Sequence, residues 1–314
     1  MNIVILDAST LGKVNNLQLL EKYGSVTSFG STKASQIVER SANADIILTN
    51  KVIFNKEELD QLPNLKLICI TATGMNNVDL EYANKKGITV KNVVGYSTDS
   101  VSQVTFSMVL RLLSNLCKYD SYVKSKDYAL SPIFTHLANG FDEIKGKKWG
   151  IIGMGNIGRN VANIATAFGA EVSYHSTSGV IRDEGYPEIS LEKLLSGSDI
   201  ISVHSPLNDK TNNLISKREL NKMKPNAILI NVARGGIVNE KDLVSALNEN
   251  RIAGAGVDVF TNEPIEKESP YFNVINQEKI VLSPHIAWAS TEARHKLIEK
   301  VIENIEEFLN KDNN

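Results

Sequence analysis

A chain of 314 residues is longer than one simple hydrophobic core accommodates, so about two domains are expected. Its 34 basic and 36 acidic residues nearly cancel, leaving −2, which argues against nucleic acid or an anionic membrane as a partner and leaves small anions to a local site. No apolar run approaches the ~18 residues needed to span a bilayer, and the two cysteines, Cys69 and Cys117, are too few for a disulfide framework or a metal cage.

Both thiols sit among apolar neighbours and are expected to be free and buried. The chain runs straight into Ile3-Val4-Ile5-Leu6 with no basic leader, so no signal peptide is expected and the compartment is expected to be the cytoplasm. Residues 2–6, 45–48, 65–71 and 89–92 read as strands, and 17–23 and 56–61 as amphipathic helical stretches between them. Alternation of this kind predicts parallel strands joined by crossover helices.

Ser97-Thr98-Asp99 supplies N-cap chemistry ahead of a helix over 101–116. Its wide apolar face predicts burial against another domain or a partner subunit. A second alternating unit follows, with strands at 148–152, 171–174, 200–204, 227–232, 254–259 and 280–283. Six strands suffice for a dinucleotide-binding sheet. Residues 290–310 read as one long helix that need not belong to that unit. The expected class is α/β with two doubly wound parallel-sheet domains.

Gly153-Met154-Gly155-Asn156-Ile157-Gly158 follows an apolar strand and opens a helix running to Phe168. In that context the spacing makes physical sense. Gly153 permits a tight turn, Gly155 lets the backbone approach a pyrophosphate, and Gly158 lets helix and strand pack closely. The N–H groups near Asn156 and Ile157 then face phosphate charge at the helix N-terminus.

Sites of this kind that take NAD usually carry an acid at the end of the next strand, to bind the ribose diol. Here the segment reads Tyr174-His175-Ser176-Thr177-Ser178-Gly179, with Ser176 in the acidic position and no carboxylate before Asp183. Hydroxyls there, with Arg182 in reach if the loop folds back, make a 2′-phosphate acceptable. The expected cofactor is NAD(P), tilted slightly toward NADP(H). His175 reads as a loop or packing residue.

Three segments each place a side chain just past a successive strand: Asn231-Val232-Ala233-Arg234-Gly235-Gly236, Asp258-Val259-Phe260-Thr261-Asn262-Glu263-Pro264 and Ser283-Pro284-His285-Ile286-Ala287-Trp288. Ligands bind beyond the carboxyl ends of parallel strands, so Arg234, Glu263 and His285 should converge. Arg234 offers a planar fork to a carboxylate and its neighbouring carbonyl. His285 can act as general acid on a nascent alkoxide and as base in reverse. Glu263 would orient the imidazole and favour its charged form. Taken singly, each residue has a structural explanation: a surface ion pair, a turn, a buried Pro-His step.

These segments, with Thr71-Ala72-Thr73-Gly74-Met75-Asn76-Asn77-Val78-Asp79 and Gly95-Tyr96-Ser97-Thr98-Asp99-Ser100-Val101, resemble the D-isomer-specific 2-hydroxyacid dehydrogenases over nearly the whole chain. The last two, with His285-Ile286-Ala287-Trp288-Ala289-Ser290, look most like the glycerate dehydrogenase (hydroxypyruvate reductase) branch. The resemblance implies hydride transfer between NAD(P)H and a small 2-keto or D-2-hydroxy acid.

It further implies a flavodoxin-like substrate domain of residues 1–98 with 287–314, and a Rossmann cofactor domain of 99–286, closing by a hinge. It marks Thr73, Gly74 and Met75 as a loop holding the substrate carboxylate. His204, Pro206 and Thr211 would lie over the cofactor ribose, with Ser176 and Thr177 nearby. Asp258 would bind the nicotinamide carboxamide, and Thr105 would touch the cofactor from the long helix.

Asn50 and Lys51 are expected at the same cleft, Lys51 being alternatively a solvated cation. Trp288 lines the cleft or belongs to the core. A homodimer through the central domain is implied, with the 101–116 helix at the interface. No metal is expected. His136 and His295 have no motif around them. The competing reading is a dinucleotide-sensing binding protein related to the corepressors of this fold.

Overall fold

Short apolar runs bounded by turn residues form the central strands, which are buried along their length, and parallel pairing joins them with more exposed edge strands into two sheets. The computed structural model describes residues 1–138, 140–181 and 185–312 and separates two compact units, Met1–Ser97 with Ala289–Asn314 and Thr98–Trp288.

The first unit contains β1 (Asn2–Ile5), β2 (Ser25–Ser28), α1 (Ile37–Ser41), β3 (Ile46–Thr49), α2 (Lys56–Asp60), β4 (Leu67–Ile70), α3 (Leu80–Lys85) and β5 (Thr89–Lys91). All pairings are parallel, in the order β2-β1-β3-β4-β5. This is the flavodoxin-like doubly wound order. β3 and β4 are buried at every position.

Two details differ from the sequence reading. Leu17–Tyr23 is a 3₁₀ helix rather than an amphipathic α-helix. The following Ser25–Ser28 is an edge strand that its polar Ser-Val-Thr-Ser composition conceals. An edge strand covers little core, so it carries no apolar signature.

In the second unit the chain forms α4 (Thr98–Ser114), α5 (Leu116–Lys124), β6 (Lys148–Ile152), α6 (Asn156–Ala167), β7 (Glu171–His175), α7 (Leu191–Gly197), β8 (Ile200–Val203), α8 (Lys217–Leu220), β9 (Ile228–Asn231), α9 (Glu240–Asn248), β10 (Gly254–Val257) and β11 (Ile280–Leu282). The parallel order is β11-β10-β9-β8-β6-β7. Beyond β7 a single parallel bridge, Tyr174 to Glu188, continues the sheet. Counting that bridge as a strand gives the Rossmann arrangement, with its switch point between β6 and β8.

The chain then enters α10 (Thr291–Asp312), which packs against β4 of the first unit. Among the described residues no helix is long and apolar enough to cross a membrane.

The helix expected over 101–116 starts at Thr98 and ends at Ser114, because Asn115 takes a left-handed conformation (φ 51°) and starts a separate helix, α5. Its apolar face is used inside its own unit, against α6 and β9 to β11. Val101, Phe106, Met108 and Val109 share a core with Trp149. Gly256 on β10 makes room for it, since a Cβ there would press on Met108. Cys69 is buried as expected, and burial pushes its thiol up to about 12. Cys117 is exposed on α5, contrary to the sequence reading, because α5 buries none of its residues.

Candidate active site

The glycine turn after β6 separates three demands by position. Gly153 has φ +97° and donates to His175 O at 3.0 Å, fixing the turn against the end of β7. A Cβ on Gly158 would collide with the Gly153 carbonyl, so α6 packs on the turn through that hydrogen. Gly155 caps α6, and nothing in the protein lies within 4 Å of where its Cβ would stand. That open cradle, with the N–H groups of Asn156 and Ile157 at the N-terminus of a 12-residue helix, fits a pyrophosphate.

A second feature of the same edge fits a polar ligand. His204 sits just past β8, with Nε2 3.0 Å from Ser202 Oγ, which also accepts from Trp149 Nε1 at 2.9 Å. Its Nδ1 is buried with no hydrogen-bond partner. Desolvation pushes its pKa down to about 3, so the ring is neutral.

The other residues predicted at this edge are placed as follows. Ser176 and Thr177 begin the turn after β7. Pro206 is exposed, while Thr211 is buried and its hydroxyl braces the loop, donating to Pro206 O at 2.7 Å and accepting from Asn208 N at 2.8 Å. Thr105 is buried, with its hydroxyl on Val101 O at 2.8 Å. Arg182 and Asp183 lie outside the described residues.

Arg234, Glu263 and His285 follow the neighbouring strands β9, β10 and β11. Their loops are tied together in sequence. Asn231 braces the first, accepting from Ala233 N at 3.2 Å and donating to Arg234 O at 3.0 Å. The half-buried Arg234 donates from Nη1 to Ala233 O at 2.8 Å. Gly235 meets the Phe260 carbonyl so closely that a Cβ would collide with it. Phe260 N–H in turn donates to Glu263 Oε1 at 3.1 Å. The other carboxylate oxygen, Oε2, lies 2.7 Å from His285 Nδ1.

His285 itself has φ 52°, which is uncommon and costly for a residue with a side chain. Asp258 holds it there. The Asp258 carbonyl accepts from His285 N at 2.7 Å. Its fully buried carboxylate accepts from Ser283 Oγ, from Ile286 N at 2.9 Å and from Ala287 N at 2.9 Å. Burial pushes the Asp258 carboxyl above its usual range, and those donors partly offset the shift. The 283–287 loop is thus wrapped around one carboxylate. Trp288 is half-buried against the α4 core.

In the first unit, Asn50 and Lys51 follow β3 and Thr73-Gly74-Met75 follow β4. Asp7, just past β1, organises the first of these loops. Its buried carboxylate accepts from Asn50 N at 2.9 Å, Lys51 N at 2.7 Å and Thr49 Oγ1 at 3.2 Å. Thr73 is tied to Val93 O at 3.0 Å and is exposed, as is Lys51. Asp7 lies in no recognisable motif and escaped the sequence reading, while Asn231 and Ser283 lie within the segments around Arg234 and His285 but had no role assigned to them. Among the described residues no cluster of His, Cys, Asp and Glu could hold a metal.

A glycine-turn dinucleotide fold carrying an Arg–Glu–His constellation at its carboxyl edge defines a class, the Rossmann-type oxidoreductases. Residues 106–287 match the family model for the D-isomer specific 2-hydroxyacid dehydrogenase NAD binding domain. A hydroxypyruvate reductase of Blautia hydrogenotrophica is 33% identical over 98% of this chain and 97% of its own. A glyoxylate reductase of Thermococcus litoralis is 36% identical over 94% of this chain and 90% of its own. The solved structure of an acyclic imino acid reductase in complex with NADPH and D-Arg superposes with a TM-score of 0.87 at 30% identity, covering 99% of this chain and 98% of that one. The chain belongs to the D-isomer-specific 2-hydroxyacid dehydrogenase family.

Proposed function

We propose that the protein uses NAD(P)H to reduce a small 2-keto acid, hydroxypyruvate or glyoxylate, to the 2-hydroxy acid, and runs the reverse oxidation. The observation that carries this reading is the 2.7 Å Glu263–His285 pair at the edge that also carries Arg234. A bound reduced nicotinamide supplies the hydride to C2 of the acid. Arg234 holds the substrate carboxylate and polarises the adjacent carbonyl with its fork of donors. With Nδ1–H given to Glu263, His285 delivers the proton to the new alkoxide from Nε2 and recovers it in reverse. Asp258, by gripping 286–287, keeps that imidazole in place.

The dinucleotide contacts are assigned to Gly153, Gly155, Asn156, Ile157, Gly158, Ser176, Thr177, His204, Pro206, Thr211, Asp258 and Thr105. Substrate contacts are assigned to Thr73, Gly74, Met75, Asn50, Lys51 and Trp288. The division of labour is residues 1–98 with 287–314 for substrate and 99–286 for cofactor. The tilt toward NADP(H) rests on the missing acid at Ser176.

A homodimer through the central domain accounts for the apolar side chains left exposed after α4. Leu130 is 85% exposed and Phe134 90%, with Leu137 and Phe141 alongside in sequence. Patches of that kind mark protein contacts. Light scattering after gel filtration should give twice the chain mass, and a monomer at micromolar concentration would refute the assembly.

The reading is tested by the loss of nicotinamide absorbance with hydroxypyruvate, glyoxylate, pyruvate and bulkier 2-keto acids. Turnover fastest on the two smallest polar acids is expected. Dinucleotide binding with no turnover on any acid would replace it by the dinucleotide-sensing reading.

A further inference from the structure

We infer that Glu188 supplies the carboxylate missing from the end of β7 and makes this chain prefer NAD(H) to NADP(H). The inference rests on the dinucleotide reading above and reverses the tilt that the sequence alone gives. In dinucleotide folds the adenosine ribose meets the end of the second strand, where an acid accepts from its hydroxyls. Here that strand is β7 and the residue is Ser176.

Three hydroxyls at that end could have received a 2′-phosphate, but the turn uses them itself. Ser176 Oγ donates to Val180 O at 2.7 Å, and Ser178 Oγ accepts from Val180 N at 3.3 Å and lies 3.3 Å from Ser176 Oγ, to which its own proton is directed. Thr177 Oγ1 lies 3.0 Å from Ser205 Oγ, which donates to Ile152 O at 3.1 Å.

The charge at this edge comes from the next strand position. Glu188 forms the parallel bridge with Tyr174, framed by Tyr174 N to Pro187 O at 3.0 Å and Ile189 N to Tyr174 O at 2.8 Å. Its backbone is therefore held by the sheet. Its Oε1 accepts from Ser176 N at 3.4 Å and lies 3.5 Å from His175 Nδ1, which also contacts Ile189 O at 3.1 Å. A carboxylate there accepts well from a ribose hydroxyl. A 2′-phosphate, carrying about −1.5 to −2 charge near neutral pH, is repelled by it.

Arg182 lies outside the described residues and would act with the opposite sign. Salt separates the two, because the Debye length shrinks from about 30 Å at 0.01 M to about 8 Å at 0.15 M. Screening a repulsion improves NADPH relative to NADH, whereas screening an Arg–phosphate attraction worsens it.

The test is titration of the full-length protein with NADH and with NADPH, followed by fluorescence, at both ionic strengths, for wild type and Glu188→Gln. Wild type should bind NADH about tenfold or more tighter than NADPH, and salt should narrow the gap. Glu188→Gln should narrow it about fivefold or more, chiefly by tightening NADPH. Equal or tighter NADPH binding by wild type, a gap that widens with salt, or an unchanged ratio in a folded Glu188→Gln protein overturns the inference while leaving the dinucleotide reading intact. Binding of neither dinucleotide overturns both. The salt arm needs only wild type, so a misfolded variant does not shield the idea.

Discussion

Glu263 Oε2 lies 2.7 Å from His285 Nδ1, while the other oxygen of the same carboxylate holds Phe260 N–H at 3.1 Å. Glu263 is therefore fixed at both oxygens and cannot swing away from the imidazole without breaking the β10 loop. His285→Ala should lower kcat by roughly 10²–10⁴ and leave dinucleotide Kd nearly unchanged. Glu263→Gln should lower kcat by a smaller factor, because imidazole keeps a neutral partner and loses a charged one. Stopped-flow turnover with hydroxypyruvate, beside a dinucleotide titration, checks both. Turnover of His285→Ala within threefold of wild type would remove the residue from proton transfer.

Arg234 is held by its own loop through Ala233 O, so its guanidinium is oriented before any acid arrives. Hydrogen bonds to charged groups contribute about 1.5–3 kcal/mol each. Arg234→Lys keeps the charge and loses the fork. It should reduce kcat/KM for the keto acid by roughly 10- to 100-fold, mainly through KM. If KM for the acid stays put while dinucleotide affinity falls, the guanidinium belongs to the cofactor.

The glycine turn allows stability and binding to be told apart. An Ala at 158 drives its Cβ into the Gly153 carbonyl, so Gly158→Ala should cost about 1–3 kcal/mol of stability. An Ala at 155 meets nothing in the protein, and Gly155 already has φ −82°, which alanine adopts freely. Gly155→Ala should therefore unfold at the wild-type temperature and bind dinucleotide about tenfold or more weakly. Thermal melts and titrations on both variants decide it. Wild-type affinity in Gly155→Ala would mean that the open space beside residue 155 is not where the pyrophosphate goes.

Much of this was legible in the sequence because burial writes itself into composition. β3, β4, β8 and β9 are buried at every position, so their runs are mostly apolar, broken only by Thr49, Ser202 and Asn231. The glycine turn is legible because two steric demands, at Gly153 and Gly158, and one open position, at Gly155, fall at fixed spacing.

What stayed hidden has its cause far along the chain. Asp7 works on a loop 43 residues away, Ser283 on a carboxylate 25 residues away, and Glu188 on an amide 12 residues away. No local pattern announces such partners. β2 was hidden by being polar, and the end of α4 by a single left-handed Asn115, which only a folded backbone reveals.

His204 carries a pH dependence whose sign is fixed by its surroundings. Part of the residue reaches the surface, yet Nε2 rests on Ser202 and Nδ1 is buried, so the ring has no water to stabilise a charge. Its pKa falls from 6.5 to about 3 on folding. Between those values the unfolded chain takes up a proton that the folded chain refuses, so the contribution is complete above about pH 6.5 and is lost as pH falls toward 3. The slope is at most about 1.4 kcal/mol per pH unit. Urea denaturation at pH 6.5, 5.5 and 4.5 should show His204→Gln losing stability less steeply than wild type by up to that amount. Equal slopes would mean that His204 accepts its proton in the folded protein.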